Sequence, residues 1–116
     1  MPAAEAVPIV SVCICTYQRR SVEQTIDSVL LQEPSGPTFE IVVVDDDPVG
    51  FAREIVEAKA RASTIPIRYV RSGASNIAFC RNTCLAEARG DWIAFIDDDE
   101  IAAPDWIAEL LAARGQ

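Results

Sequence analysis

Apolar and polar positions along this chain fall into two kinds of block. Short, nearly unbroken apolar runs recur at IVSVCICTY (9–17), FEIVVV (39–44), IPIRYV (65–70) and DWIAFI (91–96). Their length and β-branched content predict buried strands, and the first is covered on both faces. The 65–70 run carries Pro66 and Arg68, which suits an edge strand. Between the runs, apolar residues return at helical spacing. One such face is Val22, Ile26, Val29 and Leu30, a second Phe51, Ile55, Ala58 and Ala62, and a third Ile77, Cys80, Cys84 and Ala88. A last helix runs from Pro104 through Ala112. The boundaries carry their own signals: Ser21 with Gln24 reads as a capping box, EPSGP (33–37) breaks the first helix, and Pro48 opens the second. Asn76 caps the third, which ends at Gly90.

The resulting order, βαβαβαβα, predicts an α/β domain with a mostly parallel sheet, right-handed crossovers and helices on both faces. The expected strand order is 3-2-1-4, with the fourth strand beside the first. Ligands of such sheets bind beyond the carboxyl ends of the strands, where the order reverses. Three polar clusters are expected there: TYQRR after the first strand, DDDP after the second and DDDE after the fourth. A chain of 116 residues suits one domain. Residues 1–8 read as a leader and 9–116 as the domain.

Composition narrows the function. Net charge is -8 and histidine is absent. The missing basic footprint excludes a nucleic-acid partner, and the missing histidine removes the commonest general base and zinc ligand. No apolar run approaches the ~20 residues of a membrane span, and the N-terminus lacks the basic region of a secretory signal. Cysteines stand at 13, 15, 80 and 84. Their C-x-C and C-x-x-x-C spacings fit four small buried residues in a reducing compartment better than a four-thiolate zinc site.

The acids carry the candidate chemistry. Asp97 and Asp99 are two apart, so on an extended backbone their carboxylates point the same way, with Asp98 on the other face. Two convergent carboxylates suit a hard divalent cation, Mg2+ or Mn2+, whose remaining positions are filled by phosphate and water. A solvated loop capping the next helix is the alternative, and Glu100 reads as a helix-terminal acid. Excess negative charge would repel a nucleotide diphosphate, and a cation reverses that sign. At the second acidic strand end, a carboxylate could accept a hydrogen bond from a nucleobase N–H or could cap the following helix. Tyr17 could stack on a base or simply pack. Arg81 could meet phosphate, or pair on the surface with Glu87.

Taken in order and spacing, VSVCICTYQR, FEIVVVDDD and NIAFCRNTCLAEARGDWIAFIDDDEIAAPDWI resemble the inverting family 2 glycosyltransferases of GT-A (Rossmann-like) fold, from about residue 9 to residue 111. The style of CICTYQR and SVLLQ is similar to transferases that build bacterial exopolysaccharides. The resemblance implies that Cys15, Thr16 and Tyr17 line a nucleobase pocket, that Asp46 bonds the base with Asp45 beside it, and that Arg81 neighbours the pyrophosphate. Asp97 and Asp99 become the D-x-D pair serving ribose and metal-bound diphosphate, and Asp98 joins the donor-binding set. Three departures stand out: Cys15 replaces a frequent proline, DDDP replaces D-D-G-S, and Glu100 replaces a common fourth aspartate.

Family members continue well past residue 116 into an acceptor-binding half that carries the general base. The implied protein is therefore the donor half of a cytoplasmic transferase, with peripheral membrane association of the whole enzyme left open. Its partners would be a nucleotide-sugar donor and a saccharide or lipid-linked acceptor, and this piece alone would be inactive. Two rivals remain. FIDDDEI fits an aspartyl-nucleophile phosphatase, although only a short tail follows Asp99, and a non-catalytic nucleotide- or metal-binding module is compatible with an absent acceptor half.

Overall fold

The computed structural model describes residues 8–73 and 76–113, so the leader, except Pro8, and the last three residues of the expected domain lie outside the described residues. The elements are β1 (Val10–Thr16), α1 (Val22–Leu30), β2 (Phe39–Asp45), α2 (Arg53–Ala62), β3 (Ile67–Arg71), α3 (Ile77–Glu87), β4 (Trp92–Phe95) and α4 (Trp106–Ala112). All four strands are parallel, in the expected order β3-β2-β1-β4. Thr16 pairs with Asp45 and Cys13 with Phe95, so the acidic segments after β2 and β4 emerge beside the end of β1.

Alternation along β1 and β2 divides the core in two. Val10, Val12, Ile14, Ile41 and Val43 pack with Val22, Ile26 and Val29 of α1, Val56 of α2, and Ile107 and Leu111 of α4. Cys13, Val42 and Val44 face the opposite way, onto Cys80 and Cys84 of α3. Burying each of these aliphatic side chains contributes about 1.5–3 kcal/mol. Cys13, Cys80 and Cys84 are buried and Cys15 half-buried, so the cysteines pack as small apolar residues. Among the described residues no helix is long and apolar enough to cross a membrane.

Several local signals act differently from their sequence reading. Ser21 makes no side-chain cap, and its hydroxyl instead donates to the Asp98 carbonyl at 2.8 Å. The helix after Pro48 begins only at Arg53, because Gly50 (φ +80°) turns the chain first. That delay rotates the buried face to Ala52 and Val56, leaving Phe51 and Ala58 exposed. Asn76 does cap α3, accepting the Phe79 N–H at 3.1 Å. Gly90 lies against β1, where a Cβ would meet Ser11 N at 2.8 Å and Val10 C at 2.9 Å. The start of α4 is capped from a distance: buried Gln32 accepts the Ile107 N–H at 2.9 Å and donates to Ala103 O at 2.7 Å.

Beneath α3 a polar cluster joins the starts of the strands. Ser11 Oγ donates to Glu40 Oε2 at 2.6 Å and accepts the Gly90 N–H at 2.8 Å. Glu40 also receives the Arg89 N–H at 2.8 Å and faces Arg68, which in turn pairs with Glu87 at 3.1 Å. Burial works against the Glu40 charge, but the Ser11 hydroxyl, the Arg89 N–H and the Arg68 guanidinium outweigh it and hold its pKa below the usual carboxylate range.

Candidate functional site

The carboxyl ends of β1, β2 and β4 and the start of α3 surround a cleft of about 460 Å3. Cys15, Thr16, Tyr17, Asp46, Arg81, Asp97, Asp98 and Asp99 all line it. Of the residues expected there, Asp45 alone is turned away.

The three consecutive aspartates after β2 have separate tasks. Asp45 is fully buried and its carboxylate is fully engaged. It accepts the N–H groups of Asp47 (3.0 Å) and Ala52 (2.9 Å) and the Tyr69 hydroxyl (2.7 Å). Burial and this hydrogen bond push the Tyr69 pKa up. Asp47 accepts the Phe51 N–H at 2.9 Å and the Gln18 amide at 3.3 Å. Burial opposes its charge, but these hydrogen bonds prevail and lower its pKa. Asp45 and Asp47 thus hold the turn that leads into α2, although neither supplies a side-chain cap to the helix itself. Asp46 faces the cleft, with Oδ1 taking the Ser72 hydroxyl at 2.9 Å.

The acids after β4 are arranged by a turn rather than by an extended strand. Glu100 N donates to Asp97 O at 3.1 Å, and the Glu100 carboxylate folds back to accept the Asp97 N–H at 2.9 Å. Glu100 therefore closes the turn and is no helix-terminal acid. Asp97 and Asp99 are exposed, whereas Asp98 is buried. Thr16 Oγ1 donates to Asp98 Oδ2 at 2.9 Å, tying the end of β1 to the acidic turn.

Arg19 is the participant the sequence reading leaves without a role. Its Nη1 lies 3.0 Å from Asp99 and 3.6 Å from Asp98. The signal was the basic pair after the first strand, but only the strand order reveals that it faces the acids of the fourth. Arg81 lines the cleft without Glu87, which Arg68 engages instead. Tyr17 and Phe95, each nearly half exposed, add two aromatic rings to the cleft.

The donor set bears on a metal. Among the described residues no three His, Cys, Asp or Glu side chains converge as a closed metal site. The acidic turn offers the hard oxygens of Asp97 and Asp99, and Asp99 is shared with Arg19. This fits a cation that takes one or two carboxylates and completes its shell with phosphate and water. A larger cavity of about 800 Å3 near the strand starts is lined by prolines, Phe39 and the Arg68–Glu40 pair, whose charges offset one another.

Comparison with known proteins agrees with this geometry. Residues 11–114 match the profile of glycosyl transferase family 2. The succinoglycan biosynthesis protein ExoM of Rhizobium meliloti is 35% identical over 103 residues, covering 88% of this chain and 33% of ExoM. Validoxylamine A glucosyltransferase of Streptomyces hygroscopicus subsp. limoneus is 30% identical over 116 residues, covering 98% of this chain and 26% of that enzyme. Among solved structures, residues 1–349 of S. aureus TarS superpose with a TM-score of 0.76 at 25% identity, over 89% of this chain and 31% of TarS. TarS has also been crystallised with UDP-GlcNAc. The chain thus spans about a third or less of the length of these relatives. A phosphatase is not what the matched profile describes.

Proposed function

Because the chain belongs to glycosyl transferase family 2, we propose that its acidic cleft is the donor site for a nucleotide-diphosphate sugar. Its parallel sheet and flanking helices form the GT-A fold, shared with TarS. The observation that carries the reading is the convergence of Tyr17, Asp46, Arg81 and the 97–99 acids on one cleft from four separate elements.

In this reading Tyr17 and the backbone of Cys15 and Thr16 receive the base, and Asp46 accepts a hydrogen bond from it. Asp45 acts behind Asp46 by holding the loop. Arg81 meets the diphosphate, Asp97 and Asp98 complete the donor site, and Asp97 with Asp99 would hold Mg2+ or Mn2+. When bound, that cation supplies positive charge that offsets the leaving diphosphate. Thr16 and Arg19 keep the acidic turn in place, and a preorganised turn spares the site reorganisation during reaction. Transfer is inverting: an acceptor hydroxyl, on a saccharide or lipid-linked acceptor, attacks the anomeric carbon from the face opposite the diphosphate. The base that deprotonates it is expected beyond Gln116. Four free thiols suit a cytoplasmic, reducing location.

A thermal-shift panel of nucleoside diphosphates and nucleotide sugars, with and without Mn2+, tests the reading. A ligand at ~100-fold its dissociation constant adds ~2.7 kcal/mol of stability by mass action. Stabilisation should require the cation, and Asp99→Ala should lose the cation-dependent part of the shift with the fold intact. No shift from any nucleotide, with or without the cation, would leave a module that is not a donor site.

A further inference from the structure

Cys13 and Cys15 point to the same face of β1, and Cys80 and Cys84 stand one turn apart on the face of α3 packed against it. The Sγ atoms of Cys15 and Cys84 are 3.7 Å apart. A disulfide needs ~2.05 Å, so the two sulfurs are in contact but unbonded, and oxidation has to draw them together. Cys15 is half-buried and lines the cleft, whereas Cys84 is fully buried behind it. All four cysteines are free thiols.

We propose that Cys15 and Cys84 form an oxidisable dithiol, with Cys15 the sulfur that reacts with a hydroperoxide and Cys84 the sulfur that resolves it. Solvent reaches Cys15 through the cleft. Its thiol is also held well below the ordinary range by the neighbouring Cys80 and Cys84 thiols and by the charge of Arg81, against burial and Asp46. Hydrogen bonds to Cys13 and Cys15, together with burial, push the Cys84 thiol up. Cys15, the sulfur that lines the cleft, is therefore the nucleophile, and Cys84, fully buried behind it, is the one that follows.

The step balances with the hydroperoxide as oxidant. The Cys15 thiolate attacks the terminal peroxide oxygen, the O–O bond breaks, and an alcohol (water, from hydrogen peroxide) leaves with a proton taken from solvent. The Cys15 sulfenic acid is then attacked by the Cys84 sulfur. The S–S bond forms, the S–O bond breaks, and hydroxide departs with the thiol proton as water. Two thiols are oxidised by two electrons and one peroxide is reduced.

The sequence makes the product readable. Arg81 separates Cys80 from Cys84 on trypsin digestion, while Cys13 and Cys15 share the peptide ending at Arg19 and are distinguished by fragmentation. After hydrogen peroxide and alkylation under denaturing conditions, the free-thiol titre should fall from the four of the reduced chain to two. The crosslinked peptides should join Cys15 to Cys84, and dithiothreitol should restore all four thiols. In Cys84→Ser the crosslink should vanish and a dimedone adduct should accumulate on Cys15. If that variant fails to fold, the wild-type peptide map decides alone. A titre that stays at four, a crosslink to Cys80 or Cys13, or a dimedone adduct confined to another cysteine overturns the proposal.

Discussion

Asp45, Asp46 and Asp47 are chemically identical and adjacent, yet one mutation in each would read differently. Asp45→Ala leaves two buried N–H groups and the Tyr69 hydroxyl without their acceptor, and should cost about 3 kcal/mol in urea unfolding. Asp46→Ala removes only the Ser72 partner, so stability should change little while affinity for the nucleotide falls, as calorimetry would show. Glu40 offers a pH test. Because its folded pKa is depressed, its contribution is present above the unfolded value of ~4.3 and is lost as pH falls through the lower folded value. Glu40→Gln should cost about 3 kcal/mol at neutral pH by leaving Arg68 without one of its two carboxylate partners. The gap between variant and wild type should narrow below about pH 4 and then close. Arg19 competes with any cation for Asp99 through an exposed pair worth ~0.2–1 kcal/mol. Arg19→Ala should therefore tighten Mn2+ binding to the nucleotide-free protein by at most about five-fold, measured by calorimetry.

At the scale of elements, two joints connect packing to the cleft. Any side chain at Gly90 meets β1 backbone rather than movable side-chain atoms, so Gly90→Ala must push the α3–β4 connection away from β1. A loss of about 1–3 kcal/mol is expected in thermal unfolding, with the edge strand loosened first. The strands were legible because each apolar run is too short for a helix and β-branched residues dominate it, and their order was expected from the connection rules of alternating α/β sheets. Helix phase was less legible. Pro48 is a fair helix opener, but the positive φ at Gly50 and the reach of Asp45 to Ala52 are tertiary facts that reset the first turn. Ser21 has the right neighbours for a capping box, yet the Asp98 carbonyl is the partner it takes once β4 lies beside β1. The cleft itself was legible to the extent that strand ends define it. Arg19 was not, because its partners are eighty residues away in the chain.

For the whole molecule, a net charge of -8 and an acidic cleft disfavour a bare nucleotide diphosphate, so under the proposed reading binding is cation-dependent and transfer requires a base on the acceptor side. In the proposed reading Asp97 and Asp99 are given to the diphosphate and Asp46 to the base, and Glu109 lies on α4, outside the cleft lining. The 116-residue chain should therefore bind donor without transferring sugar, and a longer protein including downstream sequence should turn over. Robust transfer by residues 1–116 in a radiolabelled-sugar assay would refute that division of labour. The central place of β1 also shapes its biosynthesis. β1 leaves the ribosome first, pairs with β2 on one side, and keeps its other edge bare until β4 is made. At roughly 5–20 residues per second, that edge waits on the order of 4–15 s, long enough for a chaperone or another nascent chain to find it. The strand that ends the wait also delivers Asp97, Asp98 and Asp99, so covering that edge of β1 and completing the acidic side of the cleft are one event.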